Sequence, residues 1–399
     1  MINQFFYPDL AATSQLMTDL VAELRSRKVP VEVITSNRSY ISPKTRYRKE
    51  DNFRGARIHR CWSTRFARSS TWNRLCNYLS FYPGASACGL RIHKPRVVMA
   101  MSTPPLIGLL GLAIARIKGA RFIYWVQDLY PDVAIRLGYL NPEGGMSRWL
   151  QKVSSSILRQ ADHVVVVSEG MRNRVAHYGV SPARVRVICN WSDDESIRPM
   201  QKGENPFVAR QNLHGKFVVA YSGNMGLVHD FKTVLAAMKD LSPYQDRLLF
   251  LLIGGGARQD SIRQFVQAHG HSNVRFLPYQ PREKLPQILG AADLHLVSLD
   301  PTIEGLVFPS KIYGALAAGR PILFIGDPEG EAARLIHEGK CGQSVAAGDA
   351  HGLVEAIEDY LRHPARVQQE GLAGRRYLEE RFSRRQSLDE FGRLLGLCC

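Results

Sequence analysis

The sequence predicts an α/β protein built from two doubly wound domains, each a parallel sheet flanked by helices. Apolar runs of strand length alternate throughout with stretches of helical pattern. A polar segment from Asn190 to Pro199 interrupts that rhythm midway, and 399 residues with 45% hydrophobic content can supply two cores of ordinary size.

In chain order, the first half offers strands at Val31–Ile34, Ala56–His59, Val97–Met101, Phe122–Val126, His163–Val167 and Val185–Cys189, with helices at Thr13–Arg27 and Ser147–Arg159. Met1–Gln4 reads as an unusually short opening strand, and the chain is expected to lack a few strand residues at its start. The second half offers strands at Lys216–Tyr221, Leu248–Ile253, Val274–Phe276, Leu294–Val297 and Pro321–Phe324, each followed by helical pattern. From His363 to Leu397 the pattern is continuous helix, long enough to cross back to the first domain. The expected division is residues 1–190, residues 191–383 and a C-terminal helix over 384–399. In such folds ligands sit beyond the carboxyl ends of the strands, here in a cleft between the domains.

The seven cysteines show no paired spacing, so neither a disulfide framework nor a zinc site is expected, and a reducing cytosol fits best. Cys398 and Cys399 read as a frayed end. Pro105–Ile117, the longest apolar run, is too short and too broken by glycine to span a bilayer. Of the net charge of +16, the whole excess lies in residues 1–190, with 28 Lys and Arg against 11 Asp and Glu. Arg38–Arg96 holds 14 of these bases against Glu50 and Asp51, interleaved with Phe53, Trp62, Phe66, Trp72, Tyr78, Phe81 and Tyr82. A stretch of this kind meets nucleic acid or an anionic membrane. No nucleic-acid-binding motif accompanies it, so the membrane is preferred over both nucleic acid and a merely solvated surface.

Two loops of the second half carry chemistry. Glu304–Gly314 reads as a carboxylate-bearing loop leading to a helix with Ser310 as its cap and Lys311 in its first turn, stopped by Gly319 and Pro321. Free backbone N–H groups, a positive dipole end and an ammonium suit phosphate oxygens, while Glu304 could accept from sugar hydroxyls. An ordinary capped helix explains the same residues. The phosphate reading is favoured by a second loop, Ser222–Gly226, where Gly223, Asn224, Met225 and Gly226 follow a buried strand. Gly254–Gly256 could flank the same crevice, and Tyr279 with Gln280 could frame a base. In the first half, Asp9 and Asp128 lie at strand carboxyl ends. Asp128 could orient a nucleophilic hydroxyl or stabilise positive charge on a sugar, or simply cap the following turn. His229 and His163 give weaker signals, His163 as a strand-end residue. No cluster has metal-ligand spacing, so no metal and no cofactor are expected.

The motifs, in order, resemble the family 4 glycosyltransferases of the GT-B fold, and within them the N-acetyl-fucosamine transferase subgroup of bacterial surface-polysaccharide enzymes. The resemblance rests on NQFFYPD, STPP at Ser102–Pro105, QDLYPD at Gln127–Asp132, VSEGM at Val167–Met171, NWSDD, SGNMG, FLPYQP, AADLHLVSL at Ala291–Leu299 and PSKIYGALAAGRP. It implies a nucleotide-sugar donor on the second domain, held at its diphosphate by Gly223–Gly226, Ser310 and Lys311. It also implies an acceptor on the first domain, near Asp9, Ala11, Ala12 and Asp128, and metal-independent transfer with retention. Three departures stand out. Leu306 and Gly314 occupy the positions of the family's paired glutamates, leaving Glu304 as a substitute. Asn224 stands where a cationic residue is usual after the phosphate strand. Ala11–Ala12 replaces a Gly-Gly pair.

The leading expectation is a glycosyltransferase peripheral to the inner face of the plasma membrane, acting from a UDP-sugar on a polyprenyl-diphosphate-linked saccharide, with Asp128, Lys311 and Glu304 as its catalytic set. The alternatives are a nucleotide-sugar epimerase of the same architecture and a non-catalytic binding protein built on degenerate transferase domains.

Overall fold

The computed structural model describes residues 1–40, 45–64, 66 and 71–397. Cys398 and Cys399, and Lys44, Arg65 and Arg68 of the basic stretch, lie outside the described residues. The chain forms two compact units. The first comprises Met1–Cys189, Gly305–Phe308 and Ser387 onward; the second comprises Asn190–Glu304 and Pro309–Gln386.

In the first unit, β1 (Glu32–Ser36), β2 (Glu50–Phe53) and β3 (Ala56–Cys61) form one ladder in the order β1-β3-β2. Strands β4 (Val97–Met101), β5 (Arg121–Trp125), β6 (His163–Val166) and β7 (Val185–Val187) form a second, parallel ladder in chain order. The opening residues join them: Ile2 bridges Ile34 and Ala100, both in parallel. What reads from sequence as an opening strand is therefore a single bridging residue, Ile2, and it occupies the middle of the sheet. The final helix, Arg384–Leu395, contributes Phe391, fully buried against Trp125 with ring centroids 4.6 Å apart.

In the second unit, β8 (Phe217–Asn224), β9 (Leu248–Gly255), β10 (Val274–Leu277), β11 (Leu294–Ser298), β12 (Ile322–Gly326) and β13 (Gly342–Ala346) pair in the order β10-β9-β8-β11-β12-β13, all parallel. This is the doubly wound order 3-2-1-4-5-6, which reverses direction between β8 and β11. Strand β9 shows why the sheet forms: Leu248, Phe250 and Leu252 enter one core, while Leu249, Leu251 and Ile253 enter the other. A strand buried on both faces is apolar without alternation, as its sequence is.

Sequence reasoning omits β2 and β13. The first is a polar, exposed edge strand and the second opens on a glycine, so neither carries an apolar run. The expected continuous tail helix is broken at Phe382–Ser383, between helices Ala365–Arg381 and Arg384–Leu395.

Candidate functional site

In an open parallel sheet the strand order reverses at a crevice beyond the carboxyl ends, the usual ligand position of such folds. In the second unit that point lies between β8 and β11. Strand β8 continues further than its apolar run predicts, and Gly223 and Asn224 still pair with Gly254 and Gly255 of β9. The glycines permit close approach. Gly254 has φ +124° and any Cβ there would collide with the Gly223 carbonyl; Gly223 has φ +131° and a Cβ there would fall 2.9 Å from Lys311 Cε. The Met225 N–H donates to Gly255 O at 2.7 Å, so this member of the expected phosphate cradle is engaged in holding the two strand ends together.

Lys311 lies at this crevice. Its Nζ is 2.9 Å from His229 Nε2 and 4.9 Å from the centroid of the Tyr221 ring. His229 Nδ1 donates to Ser298 O at 2.6 Å, which fixes the tautomer and leaves Nε2 as acceptor. Burial, then the Lys311 charge, push the His229 pKa well below its ordinary value, so the ring is neutral at pH 7. Burial lowers the Lys311 amine to about 7. Among the described residues no carboxylate pairs with it. A desolvated ammonium without a counter-ion is a site for an anion, because the anion restores the charge compensation that burial removed.

The remaining residues of the second unit are less directly placed for ligand. Ser310 has helical φ and ψ and makes no side-chain cap, which corrects the expected serine cap on the short helix Lys311–Ala317. Glu304 Oε1 accepts from Glu331 N at 2.8 Å, so this carboxylate caps the helix Glu331–Glu338, a role its sequence position does not reveal. Tyr279 Oη donates to Gly255 O at 3.2 Å, placing its ring beside the β9 terminus, and Gln280 Nε2 donates to Pro278 O. Gly226 O accepts from His229 N at 3.3 Å. His229 itself is underweighted by sequence reasoning; its position five residues after Asn224, in the stretch leading to the next helix, is the signal.

In the first unit, Asp9 is buried, and its oxygens accept from Leu10 N at 2.9 Å and Tyr40 N at 2.6 Å. The carboxylate read as an acceptor contact thus ties down the Tyr40 loop. Ala11 and Ala12 open the helix Ala12–Ser26, Ala11 buried and Ala12 exposed. Asp128 follows β5, its N–H bonded to Ser102 Oγ at 3.2 Å, and burial pushes its carboxyl up to about 6. Leu306, one of the two positions where glutamate is expected, is buried, and its carbonyl accepts from Leu129 N at 3.0 Å. At the other position, a Cβ on Gly314 would meet Leu289 Cδ1 at 3.3 Å.

Two family models match in succession: a glycosyl transferase 4-like domain over residues 13–191 and glycosyl transferases group 1 over residues 205–376. The chain belongs to the GT-B glycosyltransferases. Among curated relatives, this glycosyltransferase is 25% identical to the probable glycosyltransferase WbjE of Pseudomonas aeruginosa, over 75% of this chain and 74% of that one. It is 24% identical to the putative colanic acid biosynthesis glycosyl transferase WcaI of Escherichia coli, over 97% and 96%. Its fold matches Anabaena HepE, solved in complex with UDP-glucose, with a TM-score of 0.73 over 99% of this chain and 98% of that one at 15% identity.

Proposed function

We propose that this glycosyltransferase moves a hexosyl or N-acetylhexosaminyl group, N-acetyl-fucosamine included, from a UDP-sugar held by the second unit to a polyprenyl-diphosphate-linked saccharide on the first. The product would feed O-antigen, capsule or exopolysaccharide synthesis. The observation that carries this reading is the Lys311 amine, desolvated, without a carboxylate partner among the described residues, bonded to neutral His229 and with its stem against Gly223 at the end of β8. In this reading Lys311 neutralises the diphosphate as it leaves, the Gly223 and Asn224 strand end lies against it, and Tyr279 lies toward the base. Asp128, as carboxylate, orients the acceptor hydroxyl and takes its proton as that oxygen bonds the anomeric carbon on the face from which UDP leaves. The cation at the leaving group supports a reaction needing neither a metal nor a protein nucleophile. UDP as the nucleotide is supported by the UDP-glucose complex of HepE, and a polysaccharide product by the name of WcaI.

The reading is tested by UDP release from a panel of UDP-sugars with and without lipid-linked acceptor. Release at least tenfold faster with acceptor is expected. Epimerisation of the donor without acceptor would instead identify an epimerase, and no turnover of either kind a binding protein.

Among the described residues no helix is long and apolar enough to cross a membrane. Surface association is supported by the first unit. Phe81 of the basic stretch is core and the Tyr82 hydroxyl bonds Pro105 O, but Trp62, Phe66 and Trp72 are exposed. On the helix Thr71–Leu79, Trp72, Leu75 and Leu79 recur at i, i+3 and i+7 and are all exposed, an apolar stripe in a basic region. Flotation with vesicles is expected to recover the protein with anionic but not with neutral lipid, and Trp72→Glu to lower recovery several-fold. Equal partitioning to both lipids would remove the electrostatic part of the reading.

A further inference from the structure

Two free thiols of the first unit meet although they are 27 residues apart in the chain. Cys61 ends β3 and is 4% exposed, while Cys88 lies on the helix Phe81–Arg91 and is partly exposed. One face of that helix makes the meeting possible. Gly84 and Cys88 stand one turn apart on it, and a Cβ on Gly84 would fall 2.9 Å from Cys61 Cβ, so a glycine is what lets the helix pass this close to the strand end. Cys61 Sγ then lies 3.3 Å from Cys88 Sγ, its thiol donating to that sulfur.

Sulfurs this close are one side-chain rotation from a bond. A disulfide is about 2.05 Å long, so about 1.3 Å remains to be closed, less than a change of χ1 moves a sulfur. The two positions also differ in a way that orders the steps. Cys88 is the sulfur that a solute can reach, and Cys61 waits behind it to resolve the product. Burial, then the hydrogen bond to Cys88 and the Cys88 charge, push the Cys61 thiol up, which keeps it protonated in the resting pair. The last two of those causes end once Cys88 is held in a mixed disulfide, so Cys61 is released for attack when its target has formed.

We infer that Cys61 and Cys88 form a reversible disulfide site, closed by a low-molecular-weight disulfide such as oxidised glutathione. The Cys88 thiolate attacks one sulfur of the small disulfide, forming a mixed disulfide and releasing one glutathione thiolate. Cys61 then gives up its proton to solvent, and its sulfur attacks Cys88 Sγ, breaking the mixed bond and releasing the second glutathione. Two protein thiols are oxidised by two electrons in all, and one glutathione disulfide is reduced to two thiols. The new bond fastens β3 to the helix Phe81–Arg91 and closes a loop that contains the exposed Trp62, Phe66 and Trp72. In a reducing cytosol the pair stays open, and it closes under oxidation. This site is independent of the transferase reading.

The test is treatment of the full chain with excess oxidised glutathione, followed by alkylation of the remaining thiols, proteolysis and mass spectrometry. Wild type should yield a peptide pair linked through Cys61 and Cys88. Its melting temperature should rise by roughly 3–10 °C, because the bond closes a long loop of the unfolded chain, and dithiothreitol should reverse both changes. Cys61→Ser should stop at a glutathione adduct on Cys88 and show no such rise. Cys88→Ala should show neither the cross-link nor an adduct on the buried Cys61, and it decides the order of attack should Cys61→Ser fail to fold. Cys76→Ser, which removes an exposed thiol of the same region, should leave the cross-link intact. Wild type in which Cys61 and Cys88 are both recovered alkylated, or in which Cys88 keeps its glutathione without forming the linked pair, overturns the proposal. So does a linked product that melts below the dithiol form, since the bond would then distort the strand and helix it is proposed to fasten.

Discussion

Lys311→Met is expected to lower kcat/KM for sugar transfer by about a hundred- to a thousandfold, the usual cost of removing one preorganised group from a developing oxyanion. The same substitution should raise the melting temperature at pH 6, because the fold no longer holds a desolvated ammonium. A general structural defect would lower both, so the opposite signs identify a functional charge. The pH dependence follows from the amine's value of about 7 against 10.5 when unperturbed. UDP binds the protonated amine, so affinity in the free protein should weaken as pH rises through 7. Between about 7 and 10.5 the unfolded chain keeps a proton that the folded chain has released, so stability rises with pH across that window. In Lys311→Met both dependences should vanish. His229→Ala, which removes only the acceptor that aims the amine, should cost about tenfold in UDP affinity, in line with a hydrogen bond to a charged group. Calorimetry and thermal melts over pH 5–9 check the set, and a Lys311→Met variant with wild-type turnover would sink the diphosphate assignment.

Asp128→Asn is expected to lower kcat/KM by about a hundredfold or more, within the range for a positioned general base. Its carboxyl is pushed up to about 6 by burial, so wild-type activity should rise through pH 6 as the carboxylate forms. With Lys311 losing its proton near 7, the free enzyme should work best between these two values, and Asp128→Asn should lose the acid limb alone. Stability runs the other way. Between 3.8 and about 6 the folded chain holds a proton that the unfolded chain has lost, so stability falls as pH rises there. The asparagine variant removes that fall and should be the more stable protein above pH 6. Activity profiles of wild type and variant decide the matter; an acid limb that survives the substitution removes Asp128 from the chemistry.

Much of the fold was legible because its cause is local. Buried parallel strands must be apolar along their whole length, and β9 reads that way directly. Strands β2 and β13 escaped because edge strands need no such run. Glu304, Asp9 and Ser310 illustrate a second limit. A carboxylate or hydroxyl at a strand or helix end looks the same in sequence whatever backbone it holds, and here Glu304 accepts from the Glu331 N–H, Asp9 from Tyr40 N, and Ser310 makes no side-chain cap hydrogen bond among the described residues.

By itself, then, the sequence determined the alternation of strands and helices, the glycines that let β8, β9 and Lys311 approach one another, and the lysine that carries charge to that point, since each depends on residue type and spacing. Only tertiary structure decided what the lysine became. Its partner His229 is 82 residues away in the chain, and the lowered pKa belongs to the burial around the amine rather than to the residue. Desolvation sums over everything packed around a group, and no local stretch of chain contains that sum.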